Sequence, residues 1–235
     1  SENISYVDFS KYFGKYEGSF VLYDLGNDAW SIHDIEHATL RVAPDSTYKI
    51  YDALFGLEEC VITPEDSFIA WNGENYPFEA WNADQTLQSA MTSSVNWYFQ
   101  SIDEQLASTN IYNYIQQIGY GNENVSGDLS TYWLESSLKI SSVEQVELLM
   151  KLQNNSLGFS SENINAVKDS ICLSSSNTGK FYGKTGTGRV GGQDVNGWFI
   201  GYIETADNTY FFATNIGADS DATGGNATEI TMSIL

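Results

Sequence analysis

Ser46 stands three residues ahead of Lys49 in Ser-Thr-Tyr-Lys, and on a helix that spacing puts hydroxyl and amine on one face. An amine that has lost its proton can take the serine's, turning the hydroxyl oxygen into a nucleophile able to accept an acyl group. Two later segments complete the chemistry. Ser94-Val95-Asn96 offers a second hydroxyl and an amide, and Lys184-Thr185-Gly186-Thr187-Gly188 a cation and hydroxyls that can hold an anionic substrate against Ser46. Each piece alone is weak. Ser136-Ser137-Leu138-Lys139 repeats the first spacing and reads as a decoy, and Lys-Thr-Gly can be an ordinary strand end entering a glycine turn. The order and spacing of all three carry the signal.

Other chemistries find little support. His33 and His37 lie in an early segment far from these motifs and are expected at the surface near a strand end, so a Ser-His-Asp mechanism has no histidine to use. No His/Cys/Glu cluster has metal spacing, and no metal is expected. Cys60 and Cys172 are too few for a disulfide framework; one bridge and two buried thiols both remain open. The formal charge of −21, with only ten Lys and Arg, argues against nucleic acid and against an anionic bilayer, both of which need clustered cations. Two of those ten, Lys49 and Lys184, fall in the proposed site, so it is locally cationic on an acidic body.

The elements that position these residues follow from patterning. At 235 residues, 42% hydrophobic and 14% aromatic, the chain can bury a full core as one domain spanning 1–235. Ser19–Leu25 and Ala29–Ile35, separated by Gly26-Asn27-Asp28, predict a β-hairpin. Pro44-Asp45 precedes a helix expected to run from Ser46 to about Leu57, with Ile50, Ala53, Leu54 and Leu57 as its buried stripe. Its N-terminus favours developing negative charge. Helical spacing covers Leu87–Leu106, Thr109–Ile118, Val143–Leu152 and Ser161–Leu173. Lys180–Thr185, Gly197–Glu204 and Thr209–Thr214 read as strands, and Asn226–Leu235 as a closing helix capped by Asn226 or Thr228. The expected fold class is α+β. A central antiparallel sheet built from both termini (about 1–43 and 178–235) is flanked by helices, and a mainly helical lobe (about 44–177) is inserted. No segment approaches the ~20 apolar residues of a spanning helix. Ser1-Glu2-Asn3 has neither the basic nor the apolar region of a signal peptide, so the chain is expected to be either cytosolic or a trimmed piece of something exported or anchored.

Motifs in order along nearly the whole chain extend this reading: Pro-x-Ser-Thr-Tyr-Lys, Tyr76–Asn82, Ser94–Phe99, Tyr120-Gly121-Asn122, Tyr132-Trp133-Leu134-Glu135, Tyr-Gly-Lys-Thr-Gly-Thr-Gly and Gly-Trp-Phe-x-Gly-Tyr. The chain resembles the penicillin-recognising serine superfamily, and within it class D (OXA-type) β-lactamases and the extracellular sensor domains of BlaR/MecR receptors. The resemblance implies that Ser46 is the acylated nucleophile. Lys49 is then its base, in this family often N-carboxylated by carbon dioxide, and no other cofactor is implied. Ser94 is implied to pass a proton to the leaving ring nitrogen, and Lys184, Thr185 and Thr187 to face the substrate carboxylate. The backbone N–H groups of Ser46 and Thr187 would form the oxyanion hole, and Trp133 would donate its indole N–H near a carboxylated Lys49. β-Lactam antibiotics are the implied ligands and the rest of a membrane receptor the implied partner. The implied location is outward-facing on a membrane-anchored protein, with a secreted enzyme as the alternative.

Asn96 divides the functional readings. Class D hydrolases usually carry an aliphatic residue there, which keeps the lysine pocket apolar. An amide competes with the carbamate for Lys49, so the ester persists, which suits a sensor and ruins a hydrolase. Tyr48, where class D enzymes more often have phenylalanine, leans the same way. The late arginine that many class D enzymes use on the carboxylate is missing, and Arg189 is expected in the loop after the Lys-Thr-Gly strand. A β-lactam sensor is the first reading, a class D-type β-lactamase the alternative and a D-Ala-D-Ala peptidase a weaker third. Trp198 and Phe199 are expected in the core of a central strand. Trp30, Trp71, Trp81 and Trp97 are expected as packing residues, with Trp81 able to reach the site rim.

Overall fold

Alternation along the central strands decides the layers. In β2 (Glu17–Asp24), β6 (Gln193–Thr205) and β7 (Thr209–Gly217), Phe20, Phe199 and Phe212 face one hydrophobic cluster, while Val21, Ile200 and Ala213 face another. A sheet whose two faces are both apolar must be covered on both sides. The first cluster is closed by α1 (Ser10–Phe13) and α8 (Gly224–Ile234), the second by α2 (Ile35–Thr39), α6 (Ser142–Gln153) and the helices beyond. The computed structural model describes residues 3–235, so Ser1 and Glu2, where the chain was read for a leader, lie outside the described residues.

Among the described residues, seven strands form one sheet in the order β1-β3-β2-β7-β6-β5-β4, with β1 (Asn3–Tyr6), β3 (Ala29–His33), β4 (Cys172–Ser176) and β5 (Gly179–Val190) as the remaining members. The helix-flanked antiparallel sheet expected from both ends is present, with one parallel pairing, β1 on β3, at its edge. Between β3 and β4 the chain is helical: a 3-10 turn at Asp45–Tyr48, then α3 (Lys49–Glu58), α4 (Leu87–Thr92), α5 (Asn96–Ile118), α6 and α7 (Ser161–Ser170). No helix among them is long and apolar enough to cross a membrane.

Several boundaries differ from the sequence reading, each for a local reason. The expected continuous helix over Leu87–Leu106 ends at Thr92 and restarts at Asn96. Ser94 takes φ +52°, its N–H donates to Met91 O, and the Val95 N–H reaches back to Ala90 O. This is the Schellman ending, with serine in the left-handed position that glycine usually fills. The expected break between Leu106 and Thr109 is a kink at Ala107 (φ +61°) inside α5. The closing helix starts earlier than expected and is capped by Thr223, whose hydroxyl accepts from Asn226 N, not by Asn226 or Thr228. Cys60 and Cys172 are free and neither is fully buried, so neither the bridge nor the pair of buried thiols is present; Cys60 is exposed just beyond α3. Trp198 and Phe199 are buried in β6 as expected.

Candidate active site

Four side chains expected to act together meet where α3, the α4–α5 break and β5 converge. Ser46 sits in the 3-10 turn, half-buried and therefore reachable, one position ahead of Thr47 and Tyr48, which are fully buried. Lys49 opens α3 with no exposed surface. Its Nζ lies 2.6 Å from Ser46 Oγ, 2.6 Å from Asn96 Oδ1, 3.1 Å from Ser94 Oγ and 3.2 Å from Ser94 O, above the faces of Trp133 (5.0 Å) and Phe99 (5.6 Å). Burial pushes the amine well below the ordinary lysine range, and the nearby Lys184 charge pushes it the same way. Two of the four partners, Ser94 O and Asn96 Oδ1, can only accept. They take the two hydrogens of a neutral amine and leave its lone pair toward the hydroxyls, Ser46 Oγ being the nearer.

The α4–α5 break is what puts Ser94 between two lysines. In the left-handed corner its Oγ lies 3.1 Å from Lys49 Nζ and 3.0 Å from Lys184 Nζ. A continuous helix would carry residue 94 on α4's own face instead. Lys184, in β5, also donates to Thr185 O at 2.9 Å, and burial lowers its amine to about 7.

A cleft of about 350 Å³ opens over Ser46, lined among others by Phe78, Trp81, Asn96, Thr185, Thr187 and Arg189. β5 runs along it so closely that a Cβ added at Gly186 would sit 3.3 Å from the Ser46 backbone nitrogen, a tight contact that glycine avoids. Thr187 follows directly, so its backbone and that of Ser46 border the same gap. The Thr187 hydroxyl oxygen accepts from Gly224 N at 2.9 Å, leaving its own proton free to donate into the cleft.

Two expectations are corrected. The Trp133 indole N–H does not point at Lys49: it donates to Asp103 Oδ2 at 3.0 Å, and only the ring face meets the amine. Asp103 also accepts from the Tyr132 hydroxyl at 2.8 Å. Burial and the Asp103 charge hold the neighbouring Asp52 carboxyl well above the usual carboxylate range, so a protonated Asp52 can donate to Asp103. Arg189 belongs to β5 rather than to a following loop, and its guanidinium lines the cleft with Nε 3.1 Å from Asp194 Oδ1. Tyr48 has no exposed surface, and its hydroxyl bonds that of Tyr132 at 2.7 Å.

Sequence reasoning passed over Phe78, which is exposed on the rim with its ring 5.0 Å from that of Trp81. It lies inside the Tyr76–Asn82 motif, so the signal was on hand and only its role was missing. It also passed over Asp45, Asp103 and Glu135, whose partners lie 29 or more residues away. The histidines stay apart from the cleft: His33 Nδ1 accepts from Phe9 N and His37 pairs with Asp34. No group of three or more His, Cys, Asp or Glu among the described residues is placed to hold a metal ion.

Comparison with known proteins gives a consistent picture. The family model described as penicillin binding protein transpeptidase domain matches residues 25–235. Regulatory protein BlaR1 of Bacillus licheniformis is 46% identical over 235 residues, a match covering 99% of this chain and 39% of that protein. The chain thus spans less than half the length of such curated relatives. Among solved structures, the C-terminal domain of the Bacillus licheniformis BlaR penicillin-receptor superposes with a TM-score of 0.96 at 45% identity, covering 100% of this chain and 96% of that one. Class D beta-lactamase BAT-2 superposes at 0.91 with 35% identity, covering 97% and 94%.

Proposed function

The chain belongs to the penicillin binding protein transpeptidase domain family, and from that premise we propose that it is the β-lactam-receiving domain of a membrane receptor, acylated at Ser46 and slow to deacylate. One observation carries the reading: Lys49 Nζ lies 2.6 Å from Ser46 Oγ and equally 2.6 Å from Asn96 Oδ1. The first contact makes an ester and the second keeps it. In acylation the Ser46 hydroxyl gives its proton to the Lys49 lone pair as Oγ bonds to the lactam carbonyl carbon. The oxyanion is then met by the backbone N–H groups of Ser46 and Thr187. The lactam C–N bond breaks with its electron pair left on nitrogen, and the proton passes from Lys49 through Ser94 Oγ to that nitrogen. Thr185 and Thr187, which line the cleft, receive the substrate carboxylate together with Lys184, which is buried beside it and reaches it at Ser94 Oγ; Arg189 stands at the far end of the same strand.

Deacylation needs a water deprotonated at the same place. A carboxyl group on Lys49 would supply the base, but it would need donors around it. Ser94 O and Asn96 Oδ1 are acceptors, and the Trp133 N–H is held by Asp103. The pocket therefore suits an unmodified amine in the ester state, and an amine tied to Asn96 leaves the water without a base. In this reading the domain lies outside the cell and forms part of a receptor. The similarity to a structure described as the C-terminal domain of a penicillin-receptor supports the second point.

Intact mass spectrometry after mixing with benzylpenicillin tests the reading. An adduct on Ser46 lasting hours is expected. Recovery of free protein within seconds would instead make the chain a class D-type β-lactamase, the reading that its likeness to such an enzyme favours next. Turnover of a D-alanyl-D-alanine peptide would make it a peptidase.

A further inference from the structure

Asp45, Ser94 and Glu135 all border the site with positive φ, at 48°, 52° and 43°, a conformation that non-glycine residues hold only when their surroundings impose it. The helix ending and the two lysines account for Ser94. Asp45 and Glu135 have no part in the acylation steps, yet their side chains meet. Asp45 immediately precedes Ser46 and has no exposed surface. Its Oδ1 accepts from Glu135 N at 3.2 Å and its Oδ2 from Asn196 Nδ2 at 2.9 Å. The same Asn196 nitrogen lies 2.8 Å from Glu135 Oε1 and 2.9 Å from Ala43 O. Its orientation is set by Asn215 Nδ2, which donates to Asn196 Oδ1 at 2.8 Å. Gly188 of β5 closes the group from above, where any side chain would collide with Asp45 Oδ2 and Glu135 Oε1.

Two carboxyl groups meet at one nitrogen: Asn196 Nδ2 lies 2.9 Å from Asp45 Oδ2 and 2.8 Å from Glu135 Oε1, while Ala43 O also accepts from Trp198 Nε1 at 2.8 Å. Carboxyl groups brought that close in a buried place repel when both are ionised, and sharing one proton relieves this. Burial first, and Glu135 second, hold the Asp45 carboxyl well above the usual carboxylate range, which places that proton on Asp45, donated toward Glu135. Taking Ser46 as the acylated serine, we propose that Asp45 and Glu135 are positioning residues: a carboxyl bridge sharing one proton that fastens the turn carrying Ser46 to the segment behind Trp133 and to the β5–β6 hairpin. The bridge fixes the gap between Ser46 N and β5 in which the oxyanion forms. It also keeps a second negative charge away from that gap, where it would oppose the transition state. The other ionisable groups around the pair are Lys49 from α3, Tyr120 from the segment after α5, and the Arg189–Asp194 pair beyond Gly188.

The test is the second-order acylation rate by benzylpenicillin, read by intact mass on the whole chain, for wild type, Asp45→Asn and Asp45→Ala. Asparagine keeps a neutral donor of the same shape and is expected within about threefold of wild type at neutral pH, whereas alanine strands Glu135 and Asn196 and is expected to slow acylation at least about tenfold. Raising the pH through the elevated Asp45 value ionises Asp45 but not asparagine, so the rate of Asp45→Asn relative to wild type is expected to climb with rising pH. Every group that both proteins share cancels in that ratio. A flat ratio, or equal rates for the two variants, overturns the bridge while leaving Ser46 acylated. A wild type that never gains the penicillin mass overturns the reading of Ser46 together with it. The ratio needs only the conservative variant, so it decides the matter even where Asp45→Ala does not fold.

Discussion

Two amines flank the Ser94 hydroxyl at nearly the same distance, and the site works because their surroundings differ. Lys49 is enclosed by Ser46, Asn96 and two aromatic faces, and is pushed well below the lysine range. Lys184 lies along a strand with one hydroxyl and one carbonyl for partners, and is lowered by burial to about 7. In the proposed acylation the first is thereby the neutral base, held 2.6 Å from Ser46 Oγ. The second stands near its own titration and becomes a cation when an anionic substrate gives it a reason to be one. Their coupling runs one way that helps: positive charge on Lys184 further disfavours charge on Lys49. Identical side chains thus take opposite roles through burial and neighbours alone.

The sharpest way to break this comparison is to remove each amine in turn. Lys49→Met is expected to slow acylation by about a thousandfold or more, the loss typical of an absent general base, with penicillin still bound non-covalently. Lys184→Met is expected to weaken capture about tenfold to a hundredfold, the worth of one charged hydrogen bond, through initial binding rather than the limiting acylation rate. Stopped-flow acylation over a range of penicillin concentrations separates the two. Equal effects on the same constant would end the division of labour. Asn96→Val comes next in size. It removes the acceptor 2.6 Å from Lys49 Nζ and is expected to shorten the life of the adduct at least about tenfold, as read by mass. An unchanged lifetime would take the persistence of the ester away from Asn96.

How much of this was legible beforehand depends on whether a residue acts through its neighbours in the chain or across the fold. The Ser46–Lys49 spacing and the strand of Lys184 follow from local geometry, and the β2–β3 hairpin from its turn residues and alternation. β4 was hidden because its Cys172–Ser176 run is polar and mostly exposed. Only backbone pairing with β5 makes it a strand. The break before Asn96 was hidden because apolar positions such as Leu87, Ala90, Met91 and Tyr98 keep helical spacing across it, and the left-handed residue is serine rather than glycine. The direction of the Trp133 indole could not be read at all, since its acceptor, Asp103, lies 30 residues away on α5. A motif fixes which side chains are present; what the side chain at its centre bonds to is decided by long-range packing.

The pH dependence of acylation gives the smallest effect and the finest cut between the two lysines. Lys49 must be neutral to accept the Ser46 proton. Its amine is lowered, so the rate falls only as the pH drops through that lowered value, giving an acid limb. Lys184 must be charged to draw the carboxylate. Its amine is lowered to about 7, so charge is lost as the pH rises past neutrality, giving an alkaline limb of about threefold to tenfold in the second-order rate. Lys184→Arg separates these, because a guanidinium stays charged throughout. The variant is expected to keep the acid limb, which belongs to Lys49, and to lose the alkaline fall. An alkaline limb that survives in Lys184→Arg would move that titration to another group, and Asp45, whose proton is shared beside Ser46, would be the first to test.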